Sequence, residues 1–413
     1  MKCNKWTLAL VGAGLVSLPS LAAADEKPSP VLTALSATTI SGYVDTSMEW
    51  NPGYGDLNLP LYTPNGKPSG TKADGFNLDS VALTISKPVG EGEWGAGYSA
   101  TLLFGPDAVG FNNSYFASQS DFSLVDAYVI LRAPVGNGLD FKIGTFASPL
   151  GYEVYQAGNN PNYTRSYGYE LEPTQLTGIQ VAYQFNSIVS ANAGVVNTWS
   201  AGINDRPFAP EGPKPESYKT YMGSITLTAP DSLGFLSGST LTYAMINGDN
   251  ALFPSATLGA GGVPLYGVTE TSFYAGGTIK TPLKWLSIGL AFDYECLGPN
   301  RAQVLSAAPL VTAVNNSGFQ YAGAGYLLIQ PTEKLSFNLR ADYLNQSTYL
   351  ASPGLPGEAL ELTASVQYDL WKNVLTRAEF RWDHALNGSD PWGGTVPTLD
   401  NEFLVALNII YKF

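Results

Sequence analysis

Sixteen segments of this 413-residue chain alternate apolar and polar residues with a period of two, and the connections between them alternate between short and long. The segments span about 37–50, 74–87, 93–105, 121–133, 138–146, 174–185, 188–199, 216–229, 235–248, 268–281, 284–297, 315–330, 333–346, 358–370, 373–384 and 400–413. In KLSFNLRADYL, Leu335, Phe337, Leu339, Ala341 and Tyr343 share one face, and Ser336, Asn338, Arg340 and Asp342 share the other. A period of two places successive side chains on opposite faces of a strand. The short connections (PVGEG, PVGN, NS, PDSLG, PL, PT, WK) carry the Pro, Gly, Asn and Asp that suit tight turns. The long ones, 51–73, 106–120, 147–173, 200–215, 249–267, 298–314, 347–357 and 385–399, are polar and rich in Gly, Pro and Asn. A secreted sandwich has no reason to sort its loops by parity, whereas an outer-membrane barrel does. The expected fold is all-β: a transmembrane antiparallel β-barrel of about sixteen strands, with short periplasmic turns and long extracellular loops.

Composition agrees with a chain that faces lipid on one side and water on the other. Charged residues make up 13%, about half the usual share, while mean hydropathy is zero. Alternation between lipid and lumen cancels in such an average. No segment after Leu21 has the roughly 18 apolar residues of a spanning helix. The N-terminus, MKCNKWTLALVGAGLVSLPSLAAADEK, has the layout of a secretory signal peptide, with cleavage expected after Ala24. The expected organisation is a signal peptide over 1–24, a short proline-containing periplasmic tether over 25–36 and a barrel over 37–413. Removing the leader takes away Lys2 and Lys5 and no acids, so the formal charge moves from −13 to −15. Such a chain offers no general basic surface to nucleic acid. One cysteine, Cys296, remains, which excludes an intramolecular disulfide and a multi-cysteine metal site.

The aromatic residues fix the ends of the strands. Trp94, Trp285 and Trp371 lie beside short connections, and Trp50, Trp199 and Trp382 lie at strand ends beside long ones. Indole joins an apolar body to one N–H donor and favours the membrane–water boundary, so these six are read as two aromatic girdles. The chain ends EFLVALNIIYKF. Phe403, Val405, Leu407, Ile409, Tyr411 and Phe413 form one apolar row, broken on the polar side by Leu404 and Ile410. This last strand is expected to face lipid and to close the barrel against 37–50, leaving no open edge. Its terminal Phe413 also resembles the signal read by the outer-membrane barrel assembly machinery.

Several stretches carry a resemblance to a known family. They are ISGYVDTSMEW at 40–50, GPDA, DFSLVDAYVILRAPVGNGLDFKIGTFASPLGYEV, NYTRSYGY, TGIQVAYQF, GVVNTW and the NIIYKF ending. The set resembles the OmpL-like β-barrel porin family of bacterial outer membranes, most closely over 105–199. The resemblance implies an outer-membrane channel of unspecified substrate and offers no catalytic motif to carry over.

The polar faces supply the candidate site. Acidic pore-lining candidates are Asp45, Glu49, Asp126, Asp293, Glu295, Asp342, Glu361, Asp369, Glu379, Asp383 and Glu402; basic ones are Arg132, Lys142, Arg340, Arg377, Arg381 and Lys412. Charge on the lipid face would cost about 2–4 kcal/mol at mid-membrane, so these residues are expected to point inward. The mixed ladders Arg340/Asp342 and Arg377/Glu379/Arg381/Asp383 either pair across strands or set a transverse field for passing solutes. The third long connection, 147–173, exceeds the roughly 12–15 residues usual for a structureless loop and is dense in tyrosine. It is expected to fold into the lumen as a constriction. Its candidates are Tyr152, Glu153, Tyr155, Tyr163, Arg165, Tyr167, Tyr169, Glu170 and Glu172, with its charges facing Arg132, Arg377 or Arg381. An Ω-like loop packed over the outer rim is the competing arrangement.

These readings point to a porin: a water-filled channel for passive diffusion of small polar solutes and ions, leaning toward cations because the candidate wall is acidic. A solute-specific channel, for instance for carbohydrate, is the alternative, and an outer-membrane enzyme or adhesion barrel a more distant one. An enzyme would have to use His384, the only histidine, at a strand end beside Asp383. GTFASPLG lacks the Lys of a phosphate loop, and no cofactor or catalytic residue is expected. Expected partners are outer-membrane lipid, the assembly machinery and small polar solutes. Porin analogy adds a homotrimer, for which the small outward residues Ala191, Ala193 and Val195 would allow close approach.

Overall fold

The computed structural model describes residues 38–52, 74–90, 94–111, 122–199, 202–206, 218–249, 269–297, 318–347, 356–393 and 398–413. The expected signal peptide (1–24) and tether (25–36) lie outside the described residues. The strands are β1 (Thr39–Trp50), β2 (Gly75–Lys87), β3 (Gly95–Phe104), β4 (Phe122–Ala133), β5 (Leu139–Ala147), β6 (Gln175–Gln184), β7 (Val189–Val196) and β8 (Thr220–Thr228). They continue as β9 (Thr240–Asp249), β10 (Thr269–Lys280), β11 (Leu286–Leu297), β12 (Gly318–Ile329), β13 (Leu335–Gln346), β14 (Glu358–Trp371), β15 (Val374–Ala385) and β16 (Asn401–Lys412). Each pairs antiparallel with its neighbours in sequence, and β16 returns to β1, so the sheet is a closed barrel. Closure leaves every strand with two partners, which satisfies the backbone where no water can reach it.

The period-two pattern becomes an inside and an outside. On β15, Arg377, Glu379, Arg381 and Asp383 are buried, while Phe380 on the alternate face is exposed. On β13, Asn338, Arg340 and Asp342 are buried, with Phe337 and Leu339 exposed. The exposed residues continue around the barrel as Leu290, Phe292, Leu362, Val366, Leu407 and Ile409. This inversion of the soluble-protein rule is what a lipid-facing exterior requires.

The closing seam explains the ending of the chain. Phe413 N–H donates to Gly42 C=O and Gly42 N–H to Phe413 C=O, both at 3.0 Å. A Cβ on Gly42 would lie 2.1 Å from Ala82 O and 2.7 Å from the Phe413 ring, so only glycine fits there. The two apolar interruptions, Leu404 and Ile410, point inward and are fully buried. Leu404 packs with Tyr163, and Ile410 belongs to a cluster that includes Ala157. They face an apolar surface inside the barrel rather than breaking the pattern at random.

Three expectations need correction. β9 begins at Thr240 rather than 235, because Asp231–Leu236 form a 3-10 turn with Gly234 at φ 59°. β7 ends at Val196, short of 199. Trp50, Trp94, Trp285 and Trp371 are exposed at strand ends, and Trp382 donates to Asn401 Oδ1 at 2.9 Å. Trp199 does not join a girdle: its indole N–H donates to the buried Ser272 Oγ at 2.8 Å, and its ring packs on the interior cluster of Phe146, Leu176 and Val196. The chain has already left β7 at that point, so strand alternation no longer fixes where the side chain goes.

Candidate functional site: the luminal loop and the wall that holds it

Between β5 and β6 the chain runs through residues 148–174 inside the barrel. Two short elements shape it: a 3-10 turn at Ala157–Asn159 and a helix, α1, at Tyr167–Leu171. Ser166 caps α1, its Oγ accepting from Tyr169 N–H at 3.3 Å. Asn160 ties the preceding turn by accepting from Val154 N–H at 2.8 Å and donating to Val154 O at 2.6 Å. Tyr152 stacks on Tyr326 of β12 with ring centroids 4.5 Å apart.

A loop inside a barrel has no ladder to satisfy its backbone, and buried amides and carbonyls left unpaired are costly. The wall provides the partners. Arg340 donates through Nη1 to Glu153 Oε1 and Thr164 O, both at 2.9 Å, through Nη2 to Arg165 O at 3.0 Å, and through Nε to Glu361 at 2.9 Å. Arg377 holds Ala157 O at 2.9 Å and Asn160 O at 2.6 Å. Arg381 holds Arg165 O at 2.7 Å while its other nitrogens pair with Asp383. Lys412 reaches Gly158 O at 2.9 Å.

Wall carboxylates take the donors. Glu379 accepts from Tyr163 N–H at 2.6 Å and Thr164 N–H at 2.9 Å. Asp342 accepts from Tyr167 N–H, and Asp383 from the Tyr167 hydroxyl at 2.7 Å. Glu49 accepts from the Tyr163 hydroxyl at 2.5 Å, and Asp126 from the Tyr155 hydroxyl at 3.3 Å. The loop's own Glu153 accepts from Ser166 N–H at 2.7 Å. The mixed-charge ladders thus bind the loop as well as pairing across strands.

Other singled-out residues lie around this dock. Asp45 accepts from Asn408 at 2.5 Å, Glu402 from Asn51 at 3.1 Å, and Glu295 from Gln320 at 2.5 Å. Asp293 sits beside Glu172 of the loop; burial first, and then the Asp293 charge, push Glu172 well above the usual carboxylate range. Lys142 rests its ammonium 4.6 Å over the Tyr128 ring. Asp369 is exposed at the end of β14. Arg132 does not face the loop as expected; it is half-exposed by the short turn after β4 and pairs with Asp140 at 2.5 Å. A nearby acid eight residues along the chain outcompetes a distant loop.

Sequence reading missed Asn338, which donates to Pro161 O at 2.7 Å, and Ser365, which accepts from Asn162 at 2.6 Å. Both stood on the polar rows of their strands, but a neutral amide or hydroxyl carries no charge signal. Asp79, which accepts from the Tyr163 hydroxyl at 3.2 Å, was also missed.

A family profile described as "Putative beta-barrel porin-2, OmpL-like" matches residues 37–413. The chain belongs to this family. It is an outer-membrane porin barrel, and solved structures agree on the fold. The anion-selective porin from Comamonas acidovorans superposes with TM-score 0.57 at 11% identity, covering 91% of this chain and 99% of that one. OmpF of Salmonella typhi, in complex with daunomycin, gives 0.54 at 12%, with 91% and 97% covered. OmpT of Vibrio cholerae, in its trimer form, gives 0.53 at 12%, with 91% and 99% covered. No curated protein matches the chain. Identities this low carry the fold alone, so the porin-2 barrel's selectivity must be argued from its own side chains.

Proposed function

We propose that this porin-2 barrel conducts small polar solutes and ions passively and weakly prefers cations, with residues 148–174 as its constriction. The observation that carries the reading is the charged interior with the loop docked across it, inside a barrel of sixteen strands. Barrels of that size leave room for an aqueous channel, and the loop then sets its width. Eleven acidic against six basic wall candidates support the cation lean, since a wall of one sign concentrates counter-ions. A non-enzymatic role fits the placement of His384, which stacks on Trp382 and contacts Asn401 rather than a nucleophile. Export through a leader cleaved after Ala24 and assembly through the Phe413 strand complete the proposal. A homotrimer is supported by the outward row Ala191, Ala193 and Val195 and by the trimeric form of the Vibrio cholerae relative in fold.

Deleting residues 155–167 and recording single channels in planar bilayers tests the constriction. Conductance is expected to rise while the barrel still assembles, because wall strands pair with one another independently of the loop. Unchanged conductance in an assembled barrel would refute it.

A further inference from the structure

Charge is not spread evenly around the inside of the barrel. Strands β1 and β13–β16 carry most of it, whereas β6, β7, β8 and β9 carry no charged residue before Asp249, the last of β9. The hydrogen bonds that dock the loop divide the wall in the same way. They come from β1, β2, β4, β10 and β12–β16, and among the described residues none comes from β6–β9. What the loop shares with those four strands is apolar. Leu150 and Tyr152, at its neck, join Leu176, Val196, Met222 and Ile246 in one cluster toward the strand ends nearest the long loops.

Alternation fixes which side chains of the uncharged strands point inward. Tyr221, Ile225 and Leu227 on β8 and Leu241 and Tyr243 on β9 are exposed on the outer face, so Ser224, Thr226 and Thr242 face the lumen. Register sets Asn192 opposite Ser224 and Thr226 opposite Thr242. Asn192 Nδ2 donates to Ser224 Oγ at 2.5 Å, and the two threonine hydroxyls lie 2.9 Å apart. Gln180 extends this face on β6. Asn192 Oδ1 is buried and meets no donor among the described residues. An acceptor left in that state favours a solute that offers an N–H or O–H. Resting on the channel reading above, we infer that the open passage runs between the loop and β6–β9, and that the amides and hydroxyls of Gln180, Asn192, Ser224, Thr226 and Thr242, rather than the docked charge ladder, are what passing solutes meet.

The electrostatics follow from the same division. Arg340, Glu361 and Arg381 are at most 2% exposed, and they spend their bonds on ion pairs and on the loop. Opposite charges paired this closely cancel at a distance, so they project little field across the lumen. Hydroxyls and amides act differently. Each can donate or accept in turn, and so replaces part of a solute's water shell without imposing a fixed charge. Such a face admits neutral polar solutes and ions of either sign. The cation lean then falls to the charges at its edges: Glu270 on β10 and Glu295 on β11 along one side, and Lys142 on β5, opposite Gln180, along the other.

The test is thiol labelling of the full barrel in planar bilayers, in a Cys296→Ser background, with a trimethylammonium-ethyl methanethiosulfonate as the probe. Ser224→Cys and Thr242→Cys should be labelled quickly, with a fall in current and a shift of the reversal potential toward anions. Thr363→Cys and Ser365→Cys, buried on β14 where Asn162 of the loop docks on Ser365, should be labelled roughly tenfold or more slowly, because the loop must first open. Adding Arg340→Met should remove that lag. Equal rates on the two faces, or faster labelling at 363 and 365, would overturn the inferred passage and leave the channel standing. A barrel that assembles but carries no current sinks the channel reading instead. The mass increase of the reconstituted barrel on labelling then decides the passage by itself, since it reports which face the probe reaches whether or not current flows.

Discussion

Replacing Arg340 by Met should release the loop without opening the barrel. In the native protein its guanidinium makes bonds of 2.9–3.0 Å to two fully buried carboxylates, Glu153 and Glu361, and to the carbonyls of Thr164 and Arg165. Methionine fills much of the volume but leaves both carboxylates without their ion-pair partner, Glu361 keeping only the more distant Arg381 charge. Breaking one side of a buried pair costs about 3–5 kcal/mol. Only part of that falls on the barrel, because Glu361 belongs to the wall and Glu153 to the loop, which can leave. At about 1.4 kcal/mol per tenfold, the docking equilibrium constant should fall by roughly two to three orders of magnitude, and the undocked fraction that a protease can reach rises accordingly. Trypsin reads this directly, since the bond after Arg165 sits behind the carbonyl that Arg340 and Arg381 hold. The variant should be cut far faster than the native barrel and should conduct more, with the heat-modifiable electrophoretic mobility of an intact barrel retained. Combining Arg340→Met with Glu153→Gln and Glu361→Gln should recover much of the loss, because no buried charge is then stranded. If cleavage and conductance match the native protein, Arg340 does not hold the loop.

Other outcomes follow from the same geometry. Glu170 keeps its proton to about pH 8 in the docked loop but loses it near its ordinary 4.5 when exposed, so docking weakens as pH rises across that window. Single-channel conductance should therefore climb between pH 5 and 9, and Glu170→Gln should make the climb shallower, the rest belonging to Glu172, which burial also raises. Gly42→Val should obstruct the β1–β16 seam, where even a Cβ meets Ala82 O at 2.1 Å, and should show as a lost or lowered heat-modifiable band. In a KCl gradient the reversal potential should indicate modest cation preference, shrinking as the Debye length falls to about 3 Å at 1 M; anion preference would contradict the wall-charge argument.

The barrel itself was legible in the sequence, and the reason is local. Each strand of a membrane barrel lies between lipid and interior, so its alternation is written residue by residue, and the Arg377–Asp383 ladder could be assigned inward before any partner was known. Loop-length parity then gave the strand number without long-range information. The errors came where the chain leaves the ladder, at Trp199 and at the 3-10 turn of 231–236, since no period constrains a side chain there. That the third long connection carries too many tyrosines to stay in solvent was also readable. Its dock was not. Which arginine meets which carbonyl depends on pairs separated by nearly two hundred residues, such as Arg340 with Thr164. Arg132 shows how local rules mislead, because a neighbouring Asp140 took the partner expected from the loop. Sequence by itself determined which face of each strand is polar, because that depends only on the two solvents beside it. Tertiary structure alone decided that Arg340, Arg377 and Arg381 grip the loop from the wall while Arg165 turns back on the carbonyls of its own loop, because a guanidinium's role is set by the oxygens the fold brings to about 3 Å of it.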